Sequence, residues 1–334
     1  MNDDIRTSDS PIPYVPDARE LGVLVGFDGS DQAVLALHYA ARAAQRLEAR
    51  LTVVTAYTVP PMLYANIASI PTEPEAAARK AAAQQLLDEA SEHLRGYPGE
   101  VAMGLEEGDA AGVMVRHSAD AQLAVVGARG RGGFLGRLLG SVSSALPAHA
   151  HCPTVVVPSR YEIGTGEGAA RFAPVQDESP VVAGVDHSAQ SDVAVLLAVQ
   201  AARNRRAPLH LVMAMPPPEN WGGGYGIAIP EPGIIEKHQQ ELAADLTRYA
   251  DTLRERYPDL ELTSEVELAD PATQLVEHSA RAQLVVLGTR GHGRVASAVL
   301  GSVSRSVLQR AEGPVMVVPD LDPARIRTDR RRPR

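Results

Sequence analysis

The chain has 334 residues, 45% hydrophobic and 22% charged, a globular balance that excludes global disorder and, at roughly 150 residues per domain, points to about two domains. Its 32 basic against 41 acidic residues leave a net charge of −9, which argues against nucleic-acid binding by the body of the protein. Aromatics at 4% exclude a dominant base-stacking surface, and a lone cysteine, Cys152, excludes an internal disulfide framework or a CxxC metal centre.

Residues 1–18, acidic and proline-rich, lack the apolar segment of a secretory signal and read as a disordered N-terminus. Within residues 19–159, short apolar runs alternate with helical patterns. GVLVGF is a strand, residues 32–47 a helix, LTVVTAY a strand, and residues 73–95 an alanine-rich helix. VAMGLEE, a helix over 110–119 and the strand QLAVVG follow, then a glycine-rich loop, a helix over 141–149 and the strand TVVVP. Residues 160–178, rich in Gly and charge, read as a linker. Residues 179–320 repeat the order: VVAGV, a helix in SDVAVLLAVQAARNR, LHLVMA, a helix over 234–256, LELTSEVE, a helix after Asp270, LVVLG, loop, helix, VMVVP. The tail, 321–334, ends RIRTDRRRPR and reads as a solvated basic end. No apolar run reaches the ~18 residues of a membrane helix, so no membrane insertion and a cytoplasmic location are expected. Uniformly apolar strands separated by helices predict parallel sheets covered on both faces. The expected fold is α/β, two tandem doubly wound, Rossmann-like domains.

The two halves are copies. From Gly127 and from Gly288, 32 residues align without gaps at an offset of 161, with 14 identities; VLVGFDGS and VVAGVDHS match at an offset of 158. In open α/β sheets ligands sit beyond the carboxyl ends of strands, where strand order reverses. Glycine-marked strand ends fall there twice per copy: Gly26 to Ser30 and Gly184 to Ser188 after the first strand, Gly127 to Gly130 and Gly288 to Gly291 after the fourth. If first and fourth strands are neighbours, both ends meet at one crevice per domain.

The fourth-strand loop reads G-x2-G-x9-G-S in Gly127, Gly130, Gly140 and Ser141, and again in Gly288, Gly291, Gly301 and Ser302. Glycines let backbone approach an anion, and Gly140-Ser141 opens a helix whose free N–H groups favour phosphate. Arg129 and Arg290 can add charge. Only Lys80 and Lys237 are lysines, and no GxxxxGK[ST] occurs, so this is not a P-loop. Asp28 and Asp186 suit ribose hydroxyls or a phosphate-bound metal; the competing reading is that Asp28 and Ser30 only cap the next helix. Both copies keep the aspartate and the serine, but His187 replaces the glycine between them.

These motifs, with HCPTVVVP closing the first copy, resemble the universal stress protein family, in its tandem, nucleotide-binding type. The resemblance implies a five-stranded parallel sheet per domain and ATP, with or without Mg2+, between first and fourth strands. It implies contacts from Gly26, Asp28, Gly184 and Asp186, and adenine contacts through the backbone of Ala56 and Ala214. Around the phosphates it implies Val126, Gly127, Arg129, Gly130, Arg131, Gly132, Gly133, Gly140, Ser141, Val142 and Ser143. The second set is Leu287, Gly288, Arg290, Gly291, His292, Gly293, Gly301, Ser302, Val303 and Ser304. It also implies pairing through the last strands, as a homodimer or between the two domains, with an unidentified signalling partner.

No catalytic residue and no metal site are expected. His149, His151 and Cys152 superficially form a metal trio, but the second copy retains none of them, reading Arg310-Ala311-Glu312-Gly313. Asp109 and Asp270 read as N-caps. The expected function is an ATP-binding stress-response regulator with little turnover. The alternatives are a slow ATPase or ATP-using transferase, and a purely structural module in which both glycine loops are turns.

Overall fold

The computed structural model describes residues 14–59, 62–64, 67–69, 73–130, 139–173, 177–217, 232–291 and 300–323. The chain divides into two compact units, Tyr14–Val175 and one that includes Gln176–Arg334. The first contains β1 (Gly22–Gly26), α1 (Asp31–Leu47), β2 (Leu51–Tyr57), β3 (Met62–Tyr64), β4 (Ile67–Ser69), α2 (Glu73–His93), β5 (Val101–Glu107), α3 (Ala110–His117), β6 (Ala121–Gly127), α4 (Ser141–His149) and β7 (Thr154–Val157). The second contains β8 (Val181–Gly184), α5 (Ala189–Arg205), β9 (Leu209–Met215), α6 (Pro232–Arg256), β10 (Leu262–Leu268), α7 (Pro271–Ser279), β11 (Leu284–Gly288), α8 (Ser302–Arg310) and β12 (Val315–Val318).

Within the first unit the strand order is β5-β2-β1-β6-β7, and within the second β10-β9-β8-β11-β12, all parallel. The central strands are apolar because helices cover both faces: Val23, Leu24 and Val25 of β1 have no exposed surface. Truncating one such side chain, as in Leu24→Ala, costs about 2–5 kcal/mol. Helix α1 lies close to the sheet through small residues, with Ala36, Leu37, Ala40, Ala41 and Ala44 all buried. Ser30 starts it by accepting the Ala33 N–H, and Glu48, in the left-handed region, ends it. Ser188 and Arg206 do the same for α5. The antiparallel β3–β4 pair is an addition the sequence pattern did not suggest.

Two expected boundaries shift. Tyr14 to Ala18 were expected in a disordered start. Instead Tyr14 is buried, its hydroxyl donates to Gln122 O at 2.7 Å, and Arg19 lies over its ring. The expected linker carries its own anchor. Residues Gly168–Phe172 form a 3-10 turn, and Phe172 is fully buried, stacked on His38 with centroids 5.4 Å apart. Arg42 donates to Arg171 O and to the Tyr161 hydroxyl. Glycine content marks a loop, but one aromatic ring is enough to dock it. The basic tail from residue 324 lies outside the described residues.

Candidate functional site

The reversal of strand order falls between β1 and β6 in one unit and between β8 and β11 in the other. Val25 pairs with Val125 and Ala183 with Val286, so the loops leaving first and fourth strands emerge side by side. The condition set by the sequence is met in both copies.

Asp28 is fixed before any ligand arrives. Its Oδ1 accepts the Ser30 N–H at 3.1 Å and the Ser30 hydroxyl at 2.6 Å, while the same hydroxyl accepts the Ala33 N–H at 3.2 Å. The cap is therefore Ser30, and the aspartate is locked onto the cap rather than being it. In the second unit Asp186 Oδ1 accepts the Ser188 N–H at 3.0 Å. The turn between acid and serine needs a positive φ, 72° at Gly29 and 59° at His187. Glycine takes that conformation freely, whereas histidine strains by about 1 kcal/mol.

The carboxylate Oδ2 of each acid lies over the glycine of the opposite loop. A methyl group added at Gly130 would overlap Asp28 Oδ2, and one at Gly291 would overlap Asp186 Oδ2. Any side chain at either position must therefore displace the carboxylate that faces it. At Gly127 an added Cβ would come within 2.7 Å of Gln32 O, in the first turn of α1.

A glutamine bridges each pair of loops. Gln32 Oε1 accepts the Arg129 N–H at 2.8 Å, and Gln190 Oε1 accepts the Arg290 N–H at 3.1 Å. Sequence reasoning missed both, although they share the offset of 158 that marks Asp28 and Asp186. At the far end Gly140 N–H donates to Ala128 O and Gly301 N–H to Thr289 O. Buried Ser143 sends its hydroxyl to Ala128 O at 2.7 Å, and Ser304 to Gly288 O at 2.8 Å. Their side chains close the loop, while Ser141 and Ser302 stay exposed. Helices α4 and α8 begin at Gly140 and Gly301 with no side-chain cap, unlike α1, α3, α5 and α7, which Ser30, Asp109, Ser188 and Asp270 cap. The first-turn N–H groups of α4 and α8 have no intrahelical acceptor.

The remaining expected residues divide by burial. Val126 and Leu287 are buried core, so only their main chain can face a ligand. Ala56 and Ala214, near the ends of β2 and β9, are half-buried, as are Val142 and Val303. Gly26 and Gly184 make room for Met114 and Leu275 of the covering helices. Arg131, Gly132, Gly133, His292 and Gly293 lie outside the described residues. Cys152 is fully buried, and burial pushes its thiol up to about 12, which removes it as a ready metal ligand or nucleophile.

Parallel strands with a glycine-lined, amide-rich crevice at the strand-order reversal of each unit define a tandem α/β protein of the doubly wound kind. No helix among the described residues is long and apolar enough to cross a membrane. The universal stress protein family model matches residues 22–158 and 179–319, and the chain belongs to that family, once per unit. It is 35% identical to universal stress protein Rv2623 of Mycobacterium tuberculosis H37Rv over 305 residues, 89% of this chain and 96% of that one. A universal stress protein of Mycolicibacterium smegmatis is 34% identical over 314 residues, 91% and 99% of the two chains. The crystal structure of a universal stress protein from Archaeoglobus fulgidus DSM 4304 has a TM-score of 0.64 at 18% identity, covering 90% of this chain and 99% of that one.

Proposed function

We infer that each crevice binds ATP and that occupancy, rather than rapid turnover, is the output of this protein. One observation carries the reading: in both units a locked carboxylate, a close-approach glycine and an uncapped helix start converge on one strand-order reversal. The donor set suits a polyphosphate, because the N–H groups of Ser141 to Ser143 and of Ser302 to Ser304 head helices whose positive ends favour anions. Asp28 and Asp186 suit ribose hydroxyls, and the backbone of Ala56 and Ala214 suits the adenine edge. When bound, Mg2+ would neutralise phosphate charge, held mainly by phosphate oxygens.

On this reading Asp28, Asp186 and the loop amides hold the nucleotide rather than hydrolyse it. Differential affinity of ATP for two states would then drive association through the last strands, β7 and β12, or exposure of a partner surface. A cytoplasmic stress-response role follows from the same reading. Mass spectrometry of small molecules released from freshly purified protein, followed by calorimetry, tests it: ATP is expected at up to two per chain. Absence of binding at micromolar ATP overturns the reading. A turnover above ~1 s⁻¹ that Asp28→Asn abolishes would replace it with an ATPase.

A further inference from the structure

We propose that His210, Glu265 and His278 of the second unit form a binding site for a divalent transition-metal ion of the zinc type, separate from the nucleotide crevice. Among the described residues this is the one group of three or more His, Cys, Asp or Glu whose ligand atoms gather within 4.8 Å. His210 Nε2 lies 2.9 Å from Glu265 Oε1, and His278 Nε2 lies 3.0 Å from the same oxygen. The rings are 5.4 Å apart and tilted by 48°, so both nitrogens converge on the carboxylate. Ligands 2.0–2.1 Å from a tetrahedral zinc stand about 3.3 Å apart, so each imidazole-to-carboxylate distance is within a few tenths of an ångström of that spacing.

The chemistry matches as well as the spacing. Two imidazoles and one carboxylate, all partly exposed, leave a fourth position for water, the arrangement of open zinc sites. His210 Nδ1 lies 2.7 Å from Thr263 Oγ1. A hydroxyl both gives and accepts, so it can accept from Nδ1–H and leave Nε2 as the lone-pair ligand, the outer support that metal-binding histidines use.

Topology builds the site from distant sequence. Thr263 is the register partner of His210 across β9 and β10, and Glu265 pairs with Val212, two residues further along. Helix α7 returns antiparallel to the strands and delivers His278 at its C-terminal end. His210 is four residues before Ala214, about 13 Å along a strand, so the cluster sits away from the crevice. The first unit lacks the set. At the matching register positions it has Thr52, buried and donating to Leu21 O, and Gly104; only His117 remains, 3.4 Å from Glu106. The fold does not need this cluster to form.

The test uses untagged full-length protein stripped with EDTA, nucleotide-free, titrated with Zn2+ against a chromophoric chelator. One Zn2+ per chain at about 1 µM or tighter is expected, together with the visible absorption of a four-coordinate ion when Co2+ is used instead. His278→Gln and Glu265→Gln are each expected to weaken binding at least tenfold. Thr263→Val, which removes no ligand, should weaken it by roughly tenfold, and His117→Gln should change nothing. A wild-type protein that fails to take up Zn2+ at about 100 µM, or gives a six-coordinate Co2+ spectrum, overturns the proposal. So does unchanged affinity in His278→Gln. If that variant is unfolded by circular dichroism, Thr263→Val and the wild-type Co2+ spectrum decide the matter.

Discussion

The two crevices share one plan, in main chain and in a few side chains, and differ in the residues packed around it. Both have the Ser-locked acid, the glycine facing it, the glutamine strut and the uncapped helix start. Yet Gly29 becomes His187 at the positive-φ turn, Met114 becomes Leu275 behind the first-strand glycine, and Ala128 becomes Thr289, whose hydroxyl lies 3.4 Å from Gln190. Duplication has preserved what the backbone does and released what surrounds it. What both copies keep is the set of contacts that positions the loop amides.

The hardest way to break that equivalence is to fill one crevice at a time. Gly130→Glu drives a side chain into the Asp28 carboxylate, and Gly291→Glu does the same at Asp186. Each is expected to cost about 3 kcal/mol or more of ATP affinity at its own site, roughly a hundredfold, leaving the other unchanged. Calorimetric stoichiometry should fall from two to one in either variant and to none in the double variant.

A second asymmetry is acid sensitivity. His38 is fully buried with neither ring nitrogen hydrogen-bonded. Burial, with Arg171, His93 and Arg42 nearby, holds its imidazole down to about 4 from 6.5. The folded form stays neutral where the unfolded chain takes up a proton, so the stability is complete above 6.5. It is lost as pH falls towards 4, by about 3 kcal/mol in all. At the matching position the second unit has Leu196. Hydrogen exchange followed between pH 7 and 4 should show α1 losing protection more steeply than α5, and His38→Leu should flatten the difference.

Smaller effects sharpen the comparison further. His187→Gly relieves a left-handed side chain and should stabilise the second unit by about 1 kcal/mol, while Gly29→His should destabilise the first by as much; thermal unfolding reads both. Gln32→Ala removes one acceptor from the Arg129 N–H and is expected to weaken ATP by about 1 kcal/mol. Gln190→Ala should cost slightly more, because the Thr289 hydroxyl loses the same partner.

Much of this was legible without coordinates. Apolar runs bounded by glycine mark the strands, and the repeat at an offset of 161 locates both loops, where Gly130 faces Asp28 and Gly291 faces Asp186. What escaped depends on contacts that sequence distance hides. Gln32 is 97 residues from the Arg129 amide that it holds. Phe172 docks a stretch whose composition reads as linker. His210, Glu265 and His278 become one cluster only through the β9–β10 register and the return of α7.

The bare starts of α4 and α8 have a practical corollary. A segment that borrows its terminal acceptors from solution should fray when those acceptors leave and tighten when they return. Deuterium uptake at Ser141–Ser143 and Ser302–Ser304 would then serve as an intrinsic gauge of loading, read out separately for each half of the chain.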